Sequence, residues 1–169
     1  LKTMDAALGG TLSAFEVMWN NFYRLVTTAP AKGQPPLSQD YPFYVLVEAM
    51  GGDPQLDHER IETALGVAYE EGLIADAVVA QSDAQRSQLW ALRDDVVQTF
   101  RYAPSFTFDV SMRVSKMEAY VDEVNRRIAQ HYPQFHNFTF GHMGDGNLHF
   151  VVSVGEGGEN AREIVERSV

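Results

Sequence analysis

Apolar residues along this chain alternate between the two-residue period of strands and the 3.6-residue period of helices. Strand-like runs occupy residues 43–51, 77–80, 105–113 and 138–154, and residues 13–19 fit either a strand or the start of a helix. The run 105–113 alternates cleanly, which predicts a half-buried strand. The run 43–51 is apolar at nearly every position except Glu48. It therefore predicts a central strand covered on both faces, with a polar partner for that carboxylate.

Helical spacing of apolar residues predicts helices at residues 20–28 and 160–169. Three further helices are predicted from N-terminal capping signals: Asp53 before Pro54, and the capping boxes Ser82 with Gln85 and Ser115 with Glu118. The first of these three helices should stop at Gly72. The second should bury one face that carries Leu89, Leu92, Val96 and Phe100, and the third a face with Met117, Val121, Val124 and Ile128. The proline- and glycine-rich residues 29–41 predict a loop.

Strands and helices alternate, and a hairpin near the end makes at least part of the sheet antiparallel. We therefore predict an α+β fold: a large antiparallel or mixed sheet covered by helices, with ferredoxin-like elements and a histidine-bearing β-hairpin near the C terminus. The length of 169 residues fits one domain. The chain starts at Leu1 and ends at Val169 in a helix-like segment without a glycine stop. We expect a single domain over residues 1–169, cut at both ends from a longer polypeptide.

Composition narrows the function classes. A net charge of −10 and a pI near 4.8 argue against a nucleic-acid or anionic-membrane surface. The absence of cysteine excludes disulfides and thiolate metal sites. No apolar run approaches the ~20 residues that span a bilayer. We expect a cytoplasmic protein; peripheral membrane association of the parent and oligomerisation stay open.

Chemistry concentrates in residues 141–150, GHMGDGNLHF. An Asp145-Gly146 turn between strands would oppose His142 and His149, with Cβ atoms about 4.5–5.5 Å apart. Two such imidazoles can bind one divalent metal such as zinc; the alternative is a tight turn that carries two polar side chains. Zinc usually takes three protein ligands, and no third lies nearby in the sequence. Asn147 either shapes the turn or directs its amide to a ligand.

Arg93, in residues 90–95, is the next candidate. It either pairs with a surface acid or forms a bidentate clamp on a substrate carboxylate. The polar positions of the strand 105–113, Thr107, Asp109 and Ser111, predict a solvated face rather than a catalytic one.

With these residues identified, the chain resembles the C-terminal substrate or cap domain of FAD-linked 2-hydroxyacid dehydrogenases and oxidases. This family includes D-lactate and D-2-hydroxyglutarate dehydrogenases and the flavin subunit of glycolate oxidase. The motif GHMGDGNLH is specific, and SAFEVMW, PFYVLVEAMGGD, LWALRDDV and FTFDVSM occur in the family's order.

The resemblance implies an α+β domain that caps FAD held by a separate N-terminal domain, which is not in this chain. It implies that His142 and His149 are catalytic residues and, where a metal is present, its ligands; without a metal they would line the substrate side of the flavin. It also implies that Arg93 and Asn147 bind the substrate. The implied reaction oxidises a small 2-hydroxy acid to a 2-oxo acid with hydride transfer to FAD. This chain alone, without a glycine-rich flavin-binding segment, should be inactive, and the electron acceptor stays open.

Some positions depart from the family pattern. The third metal ligand, a Glu followed by a His, would lie downstream of the last helix and outside this chain. Val151 replaces an Asn, Thr107 a Lys and Val97 a Thr of the D-2-hydroxyglutarate enzymes, and the last two changes argue against a dicarboxylate substrate. The alternative hypothesis is a non-catalytic α+β module that binds a metal or a partner through the hairpin, with a third ligand from His131, His136 or a nearby acid.

Overall fold

One antiparallel sheet organises the chain, seen here in a computed structural model that describes residues 1–156 and 160–169. The strands are β1 (Leu12–Trp19), β2 (Phe43–Ala49), β3 (Phe106–Ser111), β4 (His136–His142) and β5 (Asn147–Ser153). The helices are α1 (Lys2–Leu8), α2 (Asn20–Thr27), α3 (Pro54–Glu70), α4 (Asp83–Asp94), α5 (Met117–His131) and α6 (Ala161–Ser168). Two 3₁₀ segments, Val96–Tyr102 and Val114–Lys116, precede β3 and α5.

The strand order is β2-β1-β4-β5-β3, and every neighbouring pair is antiparallel. The predicted α+β fold with a large antiparallel sheet is confirmed. Since β3 and β4 both run antiparallel to β5, they are parallel to each other and enclose it. The segment β3-α5-β4 is thus a split β-α-β unit, which is the ferredoxin-like element of the fold.

Each face of the sheet is covered by its own helices. On one face, here called the α2 face, α2 packs over side chains of β1, β2, β4 and β5, and Leu92 of α4 joins this cluster. On the opposite face α5 and α6 cover β5 and the middle of β1. Helices α1 and α3 cover the remainder of that opposite face around Phe15. Alternating side chains in each strand therefore serve two different cores.

Several local predictions are confirmed. The segment 13–19 is a strand, and β3 alternates between partly buried and exposed residues over its whole length. Asp53 caps α3 through the amides of Gln55 and Leu56, and Gly72 follows that helix with φ of 69°. The four predicted apolar residues of α5 are buried.

The prediction that residues 43–51 form a central strand is wrong, because β2 lies at the edge of the sheet. Its nearly continuous apolarity has another cause: Tyr44 packs into the α2 core, whereas Val47 packs against the α1–α3 cluster. Only Tyr44 of β2 is buried and Val45 is 46% exposed, so the strand is partly covered on each face and has a neighbour on one side only. Residues 77–80, predicted as a strand, are irregular.

Two helix predictions also need correction. Helix α4 ends at Asp94 because Asp95 leaves the helical region with φ −78° and ψ 45°. The 3₁₀ segment that follows has a different residue period, so Phe100 is 69% exposed instead of buried. The Ser115 capping box does not form, since Ser115 lies inside a 3₁₀ turn and Lys116 occupies the N-cap of α5. In the described residues no helix combines the length and apolarity needed to span a bilayer.

Candidate functional site

The hairpin turn contains four residues, 143–146, so the predicted direct opposition of the two histidines is wrong. The register pairs His142 with Asn147 and Phe140 with His149. Neighbouring strands hold the wider turn at both ends. The amide of Met143 donates to the carbonyl of Phe15 at 3.0 Å, and the carbonyl of Gly146 accepts from the amide of Met112 at 2.8 Å. These contacts come from β1 and from the end of β3, which explains why local turn chemistry did not determine the register.

The two histidine rings still meet, because they are diagonal neighbours on the α2 face. Their centroids lie 5.1 Å apart and the rings are nearly perpendicular, at 88°. Diagonal pairs of an antiparallel ladder remain within reach of ring side chains. The sequence thus predicted the pair correctly but not the geometry that brings it together.

Each histidine lies directly opposite a carboxylate on the outer neighbouring strand. Glu16 of β1 is the register partner of His142, and Asp109 of β3 is the register partner of His149. The Nδ1 atom of His142 lies 2.8 Å from Oε1 of Glu16. The Nδ1 atom of His149 makes a hydrogen bond with Oδ1 of Asp109. Both Nε2 atoms are therefore left to other partners.

Arg93 of α4 completes a closed group with Glu16 and His142. Its Nε donates to Oε2 of Glu16 at 2.8 Å, while its Nη2 approaches Nε2 of His142 at 3.5 Å. Arg93 and Glu16 are both buried, at 6% and 5% exposure. Arg93 is thus not on the surface, and its Nε pairs with a buried acid.

Phe140 forms the apolar floor of the site. The guanidinium of Arg93 lies 5.0 Å from its ring centroid, the His149 ring 5.2 Å, and Phe22 of α2 stacks on it at 4.2 Å. The cation–ring contact adds favourable electrostatics to a buried arginine. The polar site therefore adjoins the α2 core directly.

Asn147 has a partly satisfied amide. Its Nδ2 donates to the Ser111 hydroxyl at 3.3 Å, and its backbone amide donates to Oδ1 of Asp145 at 3.1 Å. Its side-chain oxygen is buried and finds no hydrogen-bond partner among residues 1–156 and 160–169. A buried acceptor without a donor is costly, so a ligand donor or a water would be stabilised there.

Two site residues escaped the sequence reasoning. Asp109 was assigned to a solvated strand face, yet it contacts His149. Glu16 was not singled out, although a lone acid inside the apolar strand SAFEVMW is the same signal that marked Glu48. That signal was correct for Glu48, which accepts from the Trp90 indole at 3.1 Å and lies 3.6 Å from Arg86.

The donor set for a metal is incomplete in the part of the chain that is described. Its His, Asp and Glu side chains form no group of three or more suited to holding a metal ion. His142 and His149 provide two imidazoles whose Nδ1 atoms are bound to carboxylates, the arrangement typical of histidine ligands. The alternative of a self-contained module takes its third ligand from His131, His136 or a nearby acid. His136 starts β4 and lies six residues, or about 20 Å, from His142.

The three positions that depart from the family pattern occupy different surroundings. Thr107 is exposed on the α2 face of β3, opposite the buried Val151 of β5. Val97 lies in the 3₁₀ segment after α4 and is 56% exposed. Thr107 therefore shares a face with His149 and lies two residues before Asp109, the register partner of that histidine.

The family model for the C-terminal domain of FAD-linked oxidases matches residues 2–169. A D-2-hydroxyglutarate dehydrogenase of Xanthomonas citri is 37% identical over 142 residues, which cover 83% of this chain and 29% of that protein. A mitochondrial D-2-hydroxyglutarate dehydrogenase of Arabidopsis thaliana is 32% identical over 160 residues, 94% of this chain and 28% of that protein.

A mitochondrial protein of Schizosaccharomyces pombe, whose name assigns it provisionally to the D-lactate dehydrogenases, is 32% identical over 165 residues. That match covers 92% of this chain and 31% of the yeast protein. The chain thus spans less than a third of the length of each of these relatives.

Proposed function

Because this chain belongs to the family of C-terminal domains of FAD-linked oxidases, we propose that it forms the substrate side of a flavoprotein that oxidises a small 2-hydroxy acid to a 2-oxo acid. The flavin would be held mainly by an N-terminal domain of the same parent protein. The observation that carries the proposal is the group of His142, His149 and Arg93 on one sheet face, with an unsatisfied Asn147 oxygen beside it. Such a group matches the needs of an anionic substrate that must lose a hydroxyl proton.

Each residue has a role in this proposal. Arg93 would bind the substrate carboxylate through guanidinium donors other than the Nε that Glu16 holds. The Asn147 side-chain oxygen would accept a hydrogen bond from a donor of the bound ligand or from a water. The Nε2 atom of His142 or His149 would take the proton of the substrate hydroxyl as a base, or both Nε2 atoms would hold a metal ion that binds the hydroxyl oxygen.

A divalent metal such as zinc fits this site in part. His142 and His149 would hold it through Nε2, Arg93 would have to turn away from His142, and a third ligand would come from outside the described residues. When bound, such an ion would lower the pKa of the substrate hydroxyl and orient it. The carboxylates behind the two imidazoles support this role, since partners at Nδ1 raise ligand basicity.

The substrate class follows the relatives at the level of 2-hydroxy acids. Several relatives are named D-2-hydroxyglutarate dehydrogenases, whereas the yeast relative is named for D-lactate. At the site face this chain has Thr107 and the acidic Asp109, and neither attracts a second carboxylate. We therefore favour a monocarboxylate such as a lactate-like acid. Relatives with mitochondrial names make that compartment an alternative to the cytoplasm expected from composition.

The test uses the full flavoprotein that contains this chain. Anaerobic mixing with a panel of D- and L-2-hydroxy acids, followed by flavin absorbance, measures the reductive step directly. His149→Ala should slow flavin reduction by about 10²-fold or more, the range for loss of a positioned acid–base or ligand group. His136→Ala, on the same sheet but at the far end of β4, is the matched control and should reduce flavin at the parent rate.

Absence of flavin reduction by every 2-hydroxy acid would overturn the proposed reaction. Unchanged reduction in both His142→Ala and His149→Ala would overturn the proposed site. Metal content of the purified flavoprotein, measured by mass spectrometry, tests the ion separately from the reaction.

A further inference from the structure

The outer strands place one carboxylate behind each histidine, and this arrangement has a chemical consequence. We propose that Glu16 and Asp109 are positioning residues that hold His142 and His149 in the same tautomer, with the proton on Nδ1 and the lone pair on Nε2. The use of those lone pairs for a substrate or ion rests on the proposed function. The tautomers themselves are a property of this chain alone.

For His142 the assignment follows from the donors and acceptors around the neutral ring. An ionised Glu16 only accepts hydrogen bonds, so Nδ1, 2.8 Å from its Oε1, must carry the proton. Arg93 only donates, so Nε2, 3.5 Å from its Nη2, must present its lone pair. The third contact, from Arg93 Nε to Glu16 Oε2 at 2.8 Å, closes the ring of residues and fixes both partners.

The same reasoning applies to His149 on the other side of the hairpin. Its Nδ1 bonds to Asp109, which lies directly opposite on β3. A carboxylate at Nδ1 again requires the proton on that nitrogen when the ring is neutral. Ring orientation is also constrained, because His149 packs between Phe140 at 5.2 Å and the His142 ring at 5.1 Å.

A purely structural role for the two acids predicts something different. If Glu16 served only to neutralise the buried Arg93, its removal would affect stability without any specific change at one histidine. If Asp109, whose side chain is 67% exposed, were only a surface residue, its removal would change nothing at His149. The tautomer of each ring therefore distinguishes an acid that positions its histidine from an acid that only stabilises the fold.

The experiment is long-range proton–nitrogen NMR of the histidine side chains in the ¹⁵N-labelled 169-residue chain, at a pH where the rings are neutral. Signals of His142 and His149 are assigned by their loss in the single alanine variants. In the unsubstituted chain both rings should show a protonated, pyrrole-type Nδ1 and a pyridine-type Nε2. The double variant Glu16→Met, Arg93→Met removes the acceptor at Nδ1 and the donor at Nε2 of His142, so it should move His142 towards the opposite tautomer and leave His149 unchanged. Arg93→Met alone keeps the Glu16 acceptor and should leave His142 protonated on Nδ1. Asp109→Ala should shift His149 and leave His142 unchanged.

Matched controls change polar side chains on the same face that contact no histidine. The first is Glu48→Gln on β2, where Glu48 contacts Trp90, Arg86 and Ser13. The second is Ser111→Ala on β3, two residues after Asp109. Neither should change a histidine tautomer. Comparison of the double variant Glu16→Met, Arg93→Met with Arg93→Met alone isolates the effect of Glu16, and the double variant leaves no unpaired buried charge.

The proposal is overturned if either ring carries its proton on Nε2 in the unsubstituted chain, or if the acid variants leave the tautomers as they were. A control variant that shifts a histidine as strongly as its test variant would overturn it as well. None of these measurements involves flavin or a hydroxy acid. Failure of the proposed enzymatic function is therefore distinguishable from failure of this inference.

Discussion

The buried ion pair between Glu16 and Arg93 makes a sharp prediction about stability. Each charge is almost fully removed from water, and each is the other's partner at 2.8 Å. Arg93→Met leaves the Glu16 carboxylate buried beside an apolar side chain, and Glu16→Met leaves the guanidinium without a counter-charge. Loss of one partner of a buried pair costs about 3–5 kcal/mol.

The structure places Arg93→Met near the lower end of that range. His142 still contacts Glu16 at 2.8 Å, so the buried carboxylate keeps one hydrogen-bond donor. We expect about 3 kcal/mol, which corresponds to about 6–12 °C in Tm for a chain of this size. The double variant Glu16→Met, Arg93→Met leaves no unpaired charge and should cost much less than either single variant.

Urea denaturation followed by circular dichroism measures all four members of this double-mutant cycle. The changes in the free energy of unfolding should be strongly non-additive, with the double variant more stable than Arg93→Met alone. Additive single effects, or a cost below about 1 kcal/mol for Arg93→Met, would refute the claim that the pair is buried and mutually dependent.

Two further predictions concern the turn and the surface. Gly146→Ala should destabilise the chain by at least about 1 kcal/mol in urea titration, because φ is +79° and the new Cβ would lie 2.4 Å from the backbone oxygen of Met112. Gly144→Ala is the control, since its new Cβ would meet no atom within 4 Å. Equal destabilisation by the two variants would contradict this explanation. Hydrogen bonds from Arg126 and Arg127 lower the pKa of Glu123 from 4.5 to about 2. The stabilisation from these pairs should be fully present above pH 4.5 and lost as the pH falls through about 2, so Glu123→Gln should lower Tm slightly at pH 6 and by less at pH 2. An equal change in Tm at both pH values would count against these pairs.

Local patterns predicted the parts of the fold that local interactions decide. The alternation of residues 106–111 and the helical stripe of α5 each describe one face of one element, and both appear as predicted. The hairpin itself was also predictable, since its turn residues lie between two apolar strands. Each of these features is decided by residues that are close to one another in the sequence.

The register of the hairpin had a cause farther away. Contacts from Phe15 and Met112 hold the two ends of the turn, and neither residue is near it in the sequence. The position of β2 at the sheet edge is of the same kind, because apolarity reports how the faces are covered and not which strands are neighbours.

The partners of the site residues were equally distant. Glu16 lies 77 residues from Arg93 and 126 residues from His142, so no motif with fixed spacing could join them. The sequence indicated only that a lone acid in an apolar strand requires a partner. The sequence left a surface ion pair and a substrate clamp open for Arg93, and only the tertiary structure shows that its Nε pairs with the buried Glu16.

The sheet order explains how four distant residues form one row. Strands β1, β4, β5 and β3 are consecutive neighbours, and they contribute Glu16, His142, His149 and Asp109 in that order. Each acid is the direct register partner of its histidine, at the separation where opposed side chains touch. A slip of one residue in either outer pair would move the acid to the opposite face and release the ring that it holds. The outer strands thus determine the chemistry of the hairpin between them, and the identity of the turn alone does not.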